Sequence, residues 1–305
     1  MVKDQIITDK FAVYCGDCYN VAKALPSDSV HFGISSWPFE SLYTYSNSPR
    51  DIGNCRTPEE FRQHMRFVIA EQFRAMIPGR LVAIHCMNLP TSKAKDGYIG
   101  LRDFRGDIIR LMQDAGFIYH SEVCIWKDPV TAMQRTKALG LLHKQIKKDS
   151  AMSRQGIPDY LVVFRKPGVN PEPVTHTNES FPVHMWQRYA SPVWALVSDD
   201  YGDGIYNCHQ DINPSDTLQK ESARDHKDER HICPLQKEVI RRAIALWTNP
   251  GDIVWDQFGG IGTSGVIALE MDRRAIMSEL KDSYYKQNVL NCQAAIQATA
   301  STFDF

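Results

Sequence analysis

The sequence predicts an α/β protein with a doubly wound, mostly parallel sheet. Three observations lead there. Short apolar runs alternate with longer amphipathic ones, the pattern of repeated strand–helix–strand units. Most strand candidates are continuously apolar, as expected of strands covered on both faces. A glycine-rich turn, GGIGTSG at 259–265, joins one late strand candidate to a helix.

The elements follow in order. FAVYC (11–15) reads as a strand that closes at Gly16-Asp17. NVAKAL reads as a helix, and Pro26-Ser27-Asp28 turns the chain into VHFGI (30–34), a β-branched and aromatic run typical of a buried strand. Thr57-Pro58-Glu59-Glu60 combines an N-cap threonine, a proline at the first helical position and a glutamate three residues after the cap. That helix is expected to reach about Met76 and stop at Pro78-Gly79. LVAIHC (81–86) is the next strand, followed by a helix over 103–114 and a strand over 118–126. The alternation then lapses, apart from the strand YLVVF (160–164). It resumes with a helix over 234–247, the strand DIVW (252–255), a helix from Thr263, the strand AIMSEL (275–280) and a helix from Asp282.

The 305 residues, 43% apolar and 23% charged, suit a globular protein with a sizeable core. No apolar run is long enough to span a membrane, and MVKDQIITDKF lacks the apolar core of a signal peptide. A cytoplasmic protein with reduced thiols is expected. Of the eight cysteines, Cys15 and Cys18 form a C-x-x-C pair without a second pair to complete a zinc site, so no metal centre is expected. Net charge is −1, yet its distribution is uneven. Residues 127–166 carry nine basic against three acidic side chains, and 198–230 carry nine acidic against four basic. A local basic stretch can bind phosphates on a neutral chain, although a solvated face is the plainer reading.

Two stretches suggest chemistry. In the glycine turn, small residues let the backbone approach a ligand and the helix start offers free N–H donors. Gly260-x-Gly262-x-x-Gly265 matches a dinucleotide fingerprint, and Glu279 closes the next strand, where a carboxylate can accept from ribose hydroxyls. Only one strand and one helix follow the turn, so the other strands must come from earlier in the chain. That order fits a permuted single-nucleoside site better than a nicotinamide dinucleotide site, whose oxidoreductase chemistry stays as the disfavoured alternative. The second stretch is Ser35-Ser36-Trp37-Pro38-Phe39, at the end of the strand at 30–34.

Taken together these motifs resemble a family. Ser36-Trp37-Pro38-Phe39 resembles the Ser/Asn/Asp-Pro-Pro-aromatic motif of AdoMet-dependent DNA amino-methyltransferases. Asp256-Gln257-Phe258-x-Gly260-x-Gly262-Thr263 is similar to their AdoMet loop, and Ser278-Glu279-Leu280 with Tyr284-Tyr285 to the ribose-holding segment. His231-Ile-Cys-Pro234-Leu-Gln236-Lys237 resembles the helix start that precedes the AdoMet loop, and Gly16-Asp17-Cys18 the turn bordering the adenine. Motif order is that of the β class, and RTKALGLLHKQIKKDSAMSRQGIPDYLV is similar to phage and prophage members.

The resemblance implies a permuted Rossmann-like methyltransferase fold with a seven-stranded sheet and an inserted recognition region. Residues 1–127 and 226–305 would bind AdoMet and carry catalysis; 128–225 would recognise the target, with the strand at 160–164 joining the catalytic sheet. Double-stranded DNA is the implied partner, with a homodimer and a cognate restriction endonuclease as open additions. Asp17, Cys18, Pro234, Gln236, Asp256, Phe258, Gly260, Gly262, Thr263 and Glu279 would seat AdoMet. Ser36 Oγ and the carbonyl of residue 37 would accept from the exocyclic amine of a base swung out of the duplex, and Phe39 would stack on it. Transfer would be a direct displacement without a covalent cysteine. Serine at position 36 leans toward cytosine by family habit, and adenine stays open.

Trp37 and Gln257 stand where the family usually has proline. Residue 37 still precedes Pro38 and is held to extended geometry, but the indole is large enough for the base pocket or the methyl path. This raises the alternative of a weakened or non-catalytic DNA-binding protein. Arg135, Lys137, Lys144, Lys147, Lys148 and Arg154 are the candidates for DNA contacts, with Gln134, Gln145, Ser153 and Gln155 able to read base edges.

Overall fold

A computed structural model describes residues 2–40, 46–136, 139–198, 207–209, 211–218 and 235–301. The first third contains β1 (Asp4–Ile7), β2 (Phe11–Cys15), α1 (Cys18–Ala24), β3 (Val30–Ser36), α2 (Pro58–Ala75) and β4 (Met76–Cys86). Then come β5 (Leu89–Thr91), α3 (Lys93–Asp96), β6 (Gly100–Arg102), α4 (Phe104–Asp114), β7 (Ile118–Ile125), α5 (Pro129–Thr136) and α6 (His143–Lys148). The middle continues with β8 (Asp159–Arg165), α7 (Val183–Tyr189), β9 (Val193–Trp194), β10 (Leu196–Ser198) and β11 (Asn207–His209). The chain closes with α8 (Lys237–Trp247), β12 (Ile253–Asp256), α9 (Thr263–Glu270), β13 (Arg274–Glu279) and α10 (Asp282–Ser301).

The main sheet has the order β1-β2-β13-β12-β3-β4-β8-β7-β9. From β2 to β4 every pairing is parallel, while β8 runs antiparallel to both neighbours. The seven strands from β2 to β7 form the expected sheet; β1 and the two-residue β9 extend its edges. Strand order places the late β12 and β13 between the early β2 and β3, so both halves of the chain interleave in one sheet. β8 pairs with β4 and β7, and β9 with β7.

Alternate residues of each strand feed the two faces. In β8, Leu161 and Val163 join the core under α8, α9 and α10, whereas Val162 and Phe164 join the core under α1, α2 and α4. The two-sided apolar pattern that predicted a covered sheet thus has a direct cause. α2 begins as its sequence demands: Thr57 Oγ1 accepts from the Glu60 N–H at 3.1 Å, with Pro58 in the first turn. Among the described residues no helix is long and apolar enough to cross a membrane.

Several elements differ from expectation. β4 starts at Met76 rather than 81 because Pro78-Gly79 forms an irregularity within the strand instead of a helix stop. Gly79 has φ +77° and donates to the Lys166 carbonyl at 2.9 Å, which suits a glycine and keeps the strand attached. β1 is largely exposed and the β5–β6 pair is only three residues long, so neither carries a strong apolar signal. The long irregular stretch expected after 165 holds α7 and β9 to β11 among its described residues. The acidic run at 199–203 lies outside the described residues, as do Pro234, His231 and Cys233.

Candidate active site

The parallel strands β2, β13, β12 and β3 present their carboxyl ends at one edge, where a crevice opens between diverging connections. The glycine loop fills the exit from β12. Asp256 spans it: Oδ1 accepts from the Phe258 N–H at 2.9 Å and Oδ2 from the Ser264 hydroxyl at 2.5 Å. Gly262, at φ +92°, starts α9. From α10, Asn288 Nδ2 donates to the Gly260 carbonyl at 3.2 Å and Asn291 Nδ2 to the Ile261 carbonyl at 2.7 Å. These two asparagines fix the loop, and no motif pointed to them.

Glu279 at the end of β13 accepts from the Gly260 N–H at 2.9 Å and from the Lys281 N–H at 2.8 Å. Burial raises its carboxyl to about 7 against the pull of those backbone donors. Burial likewise raises Asp256 to about 6, opposed by Ser264 and the Phe258 N–H. On the neighbouring strand Gly16 donates to the Glu279 carbonyl at 2.8 Å, and Asp17 caps α1 by accepting from the Tyr19 N–H at 2.9 Å. Arg50 lies 3.8 Å from Asp17.

The end of β3 supplies the other wall. Ser36, Pro38 and Phe39 line the same cavity as Asp17, Cys18, Asp256, Phe258, Gly260, Thr263 and Glu279. Trp37 does not: its indole is 1% exposed in the core with Phe61 and Phe104. The expectation that it reaches the base pocket or methyl path is therefore corrected. The strand alternation that turns Ser36 to one face turns residue 37 to the other. Phe39 is half-buried, with ring centroids 6.1 Å from Phe104 and 6.4 Å from His85. Glu40 follows with φ +48°, buried and ion-paired to Arg102 of β6 at 2.6 Å.

Three further groups stand behind Ser36. Its Oγ is 3.0 Å from His85 Nδ1. His85 Nε2 is 3.2 Å from Asp159 Oδ2, near enough for an ion pair but not aligned as a hydrogen bond. Lys127 Nζ donates to Asp159 Oδ1 at 2.5 Å. Register explains the row: Ser36 pairs with His85, His85 with Leu161, and Asp159 lies two residues along the same face of β8. Burial opposes the charge on Asp159, but Lys127 and His85 outweigh it and hold the carboxyl below its usual range. The signals were a histidine inside the apolar LVAIHC and an aspartate just ahead of YLVVF.

The remaining candidates divide. Gly262 and Gln236 are not cavity-lining; Gln236 precedes α8, next to Leu235, which does line the cavity. Lys144, Lys147 and Lys148 are exposed on α6. Arg154 is half-buried and donates to the Gln155 carbonyl at 3.1 Å. Arg135 belongs to α5, and Lys137 lies outside the described residues. Cys18 touches the cavity, but burial pushes its thiol well above the usual range, so it presents no thiolate nucleophile. Among the described residues one cluster, His31, Glu172 and Asp252, brings metal-type donors together. Arg80 pairs with Asp252 there at 2.5 Å and the Ile253 N–H donates to His31 Nδ1, which makes it an ion-pair cluster.

The cavity fits AdoMet chemically. Glu279 and Asp17 supply acceptors for ribose and amino groups, and an added Cβ on Gly260 would meet nothing within 4 Å, so the loop backbone is open to a ligand. Gln257 lines the cavity with both amide atoms buried and without a partner among the described residues, a polar group placed for a ligand to satisfy. A nucleoside crevice beside a serine–aromatic strand end, on a permuted sheet, defines an AdoMet-dependent methyltransferase. Bound there, AdoMet supplies a methyl group on a sulfonium, an electrophile needing no covalent help from the protein.

Comparison with known proteins identifies the kind. Residues 17–290 match the DNA methylase family model N6_N4_Mtase, and the chain belongs to that family, as a DNA amino-methyltransferase with AdoMet as its cofactor. It is 24% identical over 278 residues to the type II methyltransferase M.Cfr9I of Citrobacter freundii, covering 88% of this chain and 83% of that one. Two solved structures share the fold. The AdoMet complex of a DNA modification methylase from Thermus thermophilus superposes with TM-score 0.65 at 20% identity, covering 94% of each chain. The cytosine-N4-specific PvuII DNA methyltransferase gives TM-score 0.65 at 14% identity, covering 99% of this chain and 97% of that one. The nicotinamide alternative falls away with this membership.

Proposed function

We propose that the protein methylates the N4 amine of cytosine in double-stranded DNA, with the base rotated out of the duplex. The observation that carries this is the common cavity of Ser36, Phe39 and Glu279, contributed by distant parts of the chain. An exocyclic amine is a weak nucleophile because its lone pair is delocalised into the ring. Acceptors at Ser36 Oγ and the residue 37 carbonyl hold the two N–H groups, so that the nitrogen lone pair turns toward the methyl group. Phe39 packs on the base, and positioning supplies most of the rate. Serine at position 36, by family habit, favours cytosine. Residues 128–225 serve recognition, with Lys144, Lys147, Lys148 and Arg154, together with Arg135 and Lys137, taking phosphates or bases. Asp17, Asp256, Phe258, Thr263 and Glu279 seat the cofactor, with Gly260 and Gly262 shaping the loop. The protein works in the cytoplasm; a homodimer and a companion restriction endonuclease fit this role.

The test is incubation of unmethylated genomic DNA with AdoMet, then digestion to nucleosides and mass spectrometry. N4-methylcytosine is expected, and Phe39→Ala should reduce it about a hundredfold or more. N6-methyladenine instead would reassign the base; 5-methylcytosine or no product would overturn the reading.

A further inference from the structure

We propose that His85 is a positioning residue for Ser36: it takes the serine hydroxyl hydrogen, leaving the oxygen lone pairs to the target amine, and then receives the proton that methylation releases. This rests on the reading of Ser36 as the amine acceptor.

A serine hydroxyl is ambivalent, since it can donate to a base as readily as accept from one. Ser36 would serve an amine poorly if its own hydrogen pointed into the cavity. The Nδ1 of His85, 3.0 Å away, can remove that ambiguity only as an acceptor, which requires the ring proton on Nε2. Asp159 Oδ2 lies 3.2 Å from Nε2, not aligned as a hydrogen bond but close enough for its negative charge to favour the proton on that nitrogen. Asp159 is in turn held by Lys127 at 2.5 Å. His85 is 7% and Asp159 3% exposed, so water does not compete for these groups. His85 also stands against the Phe39 ring, which ties the hydroxyl and the stacking side chain to one support.

Proton bookkeeping gives the second role. As the amine nitrogen bonds to the methyl carbon, the carbon–sulfur bond breaks and sulfur keeps its electron pair. The nitrogen is left with a positive charge and a surplus proton. That proton passes to Ser36 Oγ while the serine's own moves to His85 Nδ1. The product is an N-methylated neutral base and an imidazolium facing the Asp159 carboxylate, which later loses its proton to solvent. Neither an oxidant nor a metal enters.

Two measurements test the inference. Nitrogen-15 NMR of the native protein, with the His85 signals assigned by their loss in His85→Asn, should show a proton on Nε2 and a bare Nδ1. A proton on Nδ1 would overturn the proposal without any assay of activity. Kinetically, His85→Ala should lower kcat about a hundredfold, with AdoMet affinity changed less than about threefold. His85→Asn, whose amide oxygen can still accept from Ser36, should recover part of that loss. In a Ser36→Ala background His85→Ala should cost less than about twofold, because its route is gone. If Ser36→Ala alone transfers methyl at the native rate, the serine reading fails and the relay with it. If Ser36→Ala is slow yet His85→Ala adds its full factor on top, only the relay fails. Should His85→Ala not fold, His85→Asn in both backgrounds gives the same comparison.

Discussion

Gly260 donates its backbone N–H to Glu279 Oε2 at 2.9 Å, so the glycine loop and the carboxylate that ends β13 form one unit. Burial raises that carboxyl to about 7. If Glu279 holds the ribose as proposed, the hydroxyls donate to its ionised form and AdoMet binding drives off the proton. Affinity for AdoMet should therefore rise with pH up to about 7 and then level, by as much as tenfold per pH unit on the rising limb. In the ligand-free protein the sign is reversed. The folded pKa lies above the ordinary 4.5, so the contribution to stability is present below about 4.5 and lost as pH rises through about 7. Glu279→Gln should flatten both profiles and weaken AdoMet about tenfold or more. Calorimetry from pH 5 to about pH 8 reads it; an unchanged slope in Glu279→Gln would assign the dependence elsewhere.

Gly262 has a separate task from Gly260. Its φ is +92°, and a Cβ there would lie 2.4 Å from Asn288 Oδ1 and 3.3 Å from Asn288 Cα. Asn288 is fully buried and committed to the loop through the Gly260 carbonyl, so it has little room to yield. Gly262→Ala should cost about 2–3 kcal/mol, from the left-handed backbone and the clash together. Gly251, at φ +80° with nothing within 4 Å of an added Cβ, isolates the first of these. Gly251→Ala should cost about 1 kcal/mol. Denaturant midpoints of the two variants give the comparison; equal losses would mean that Asn288 does yield.

Trp37 is a core residue flanked by Ser36 and Pro38, which line the cavity. Trp37→Ala should destabilise by about 3–5 kcal/mol, the cost of emptying a large buried site. Trp37→Phe should cost about 1.5 kcal/mol or less, since the indole N–H has no partner to lose among the described residues. Folded protein carrying either change should keep AdoMet affinity within a few-fold, because the indole is buried in the core and does not line the cavity. A collapse of AdoMet binding in folded Trp37→Phe would put the indole back in the site.

The strands flanking the crevice were legible because they are buried on both faces and carry an unbroken apolar signal. The glycine loop and Ser36-Trp37-Pro38-Phe39 were legible because close backbone approach and a strand-end acceptor restrict residue choice. What stayed hidden depends on strand order. His85 looked like a stray polar residue until β4 was placed between β3 and β8, which makes Ser36 and Asp159 its neighbours. Trp37 misled because volume was weighed without direction: one residue along a strand reverses the face. Asn288 and Asn291 left no trace, since asparagines on a half-exposed helix look ordinary until the loop they hold is seen.

The lysines of α6 allow a test of the recognition region that needs no knowledge of the target sequence. Lys144, Lys147 and Lys148 are exposed on a six-residue helix with no acidic residue in it. If they neutralise phosphates, each releases counterions on binding, and affinity falls with salt by a slope of about 0.9 per contact. Replacing all three by glutamine should lower the slope of log K against log salt by between about 2 and about 3, on any duplex tested. Loss of affinity should be uniform across sequences, because phosphate contacts carry no base information. Fluorescence anisotropy on two unrelated duplexes, titrated from 50 to about 200 mM salt, reads both quantities. An unchanged slope would make α6 a solvated basic face and move the DNA contact elsewhere. A loss confined to one duplex would mean that these lysines read bases rather than phosphates.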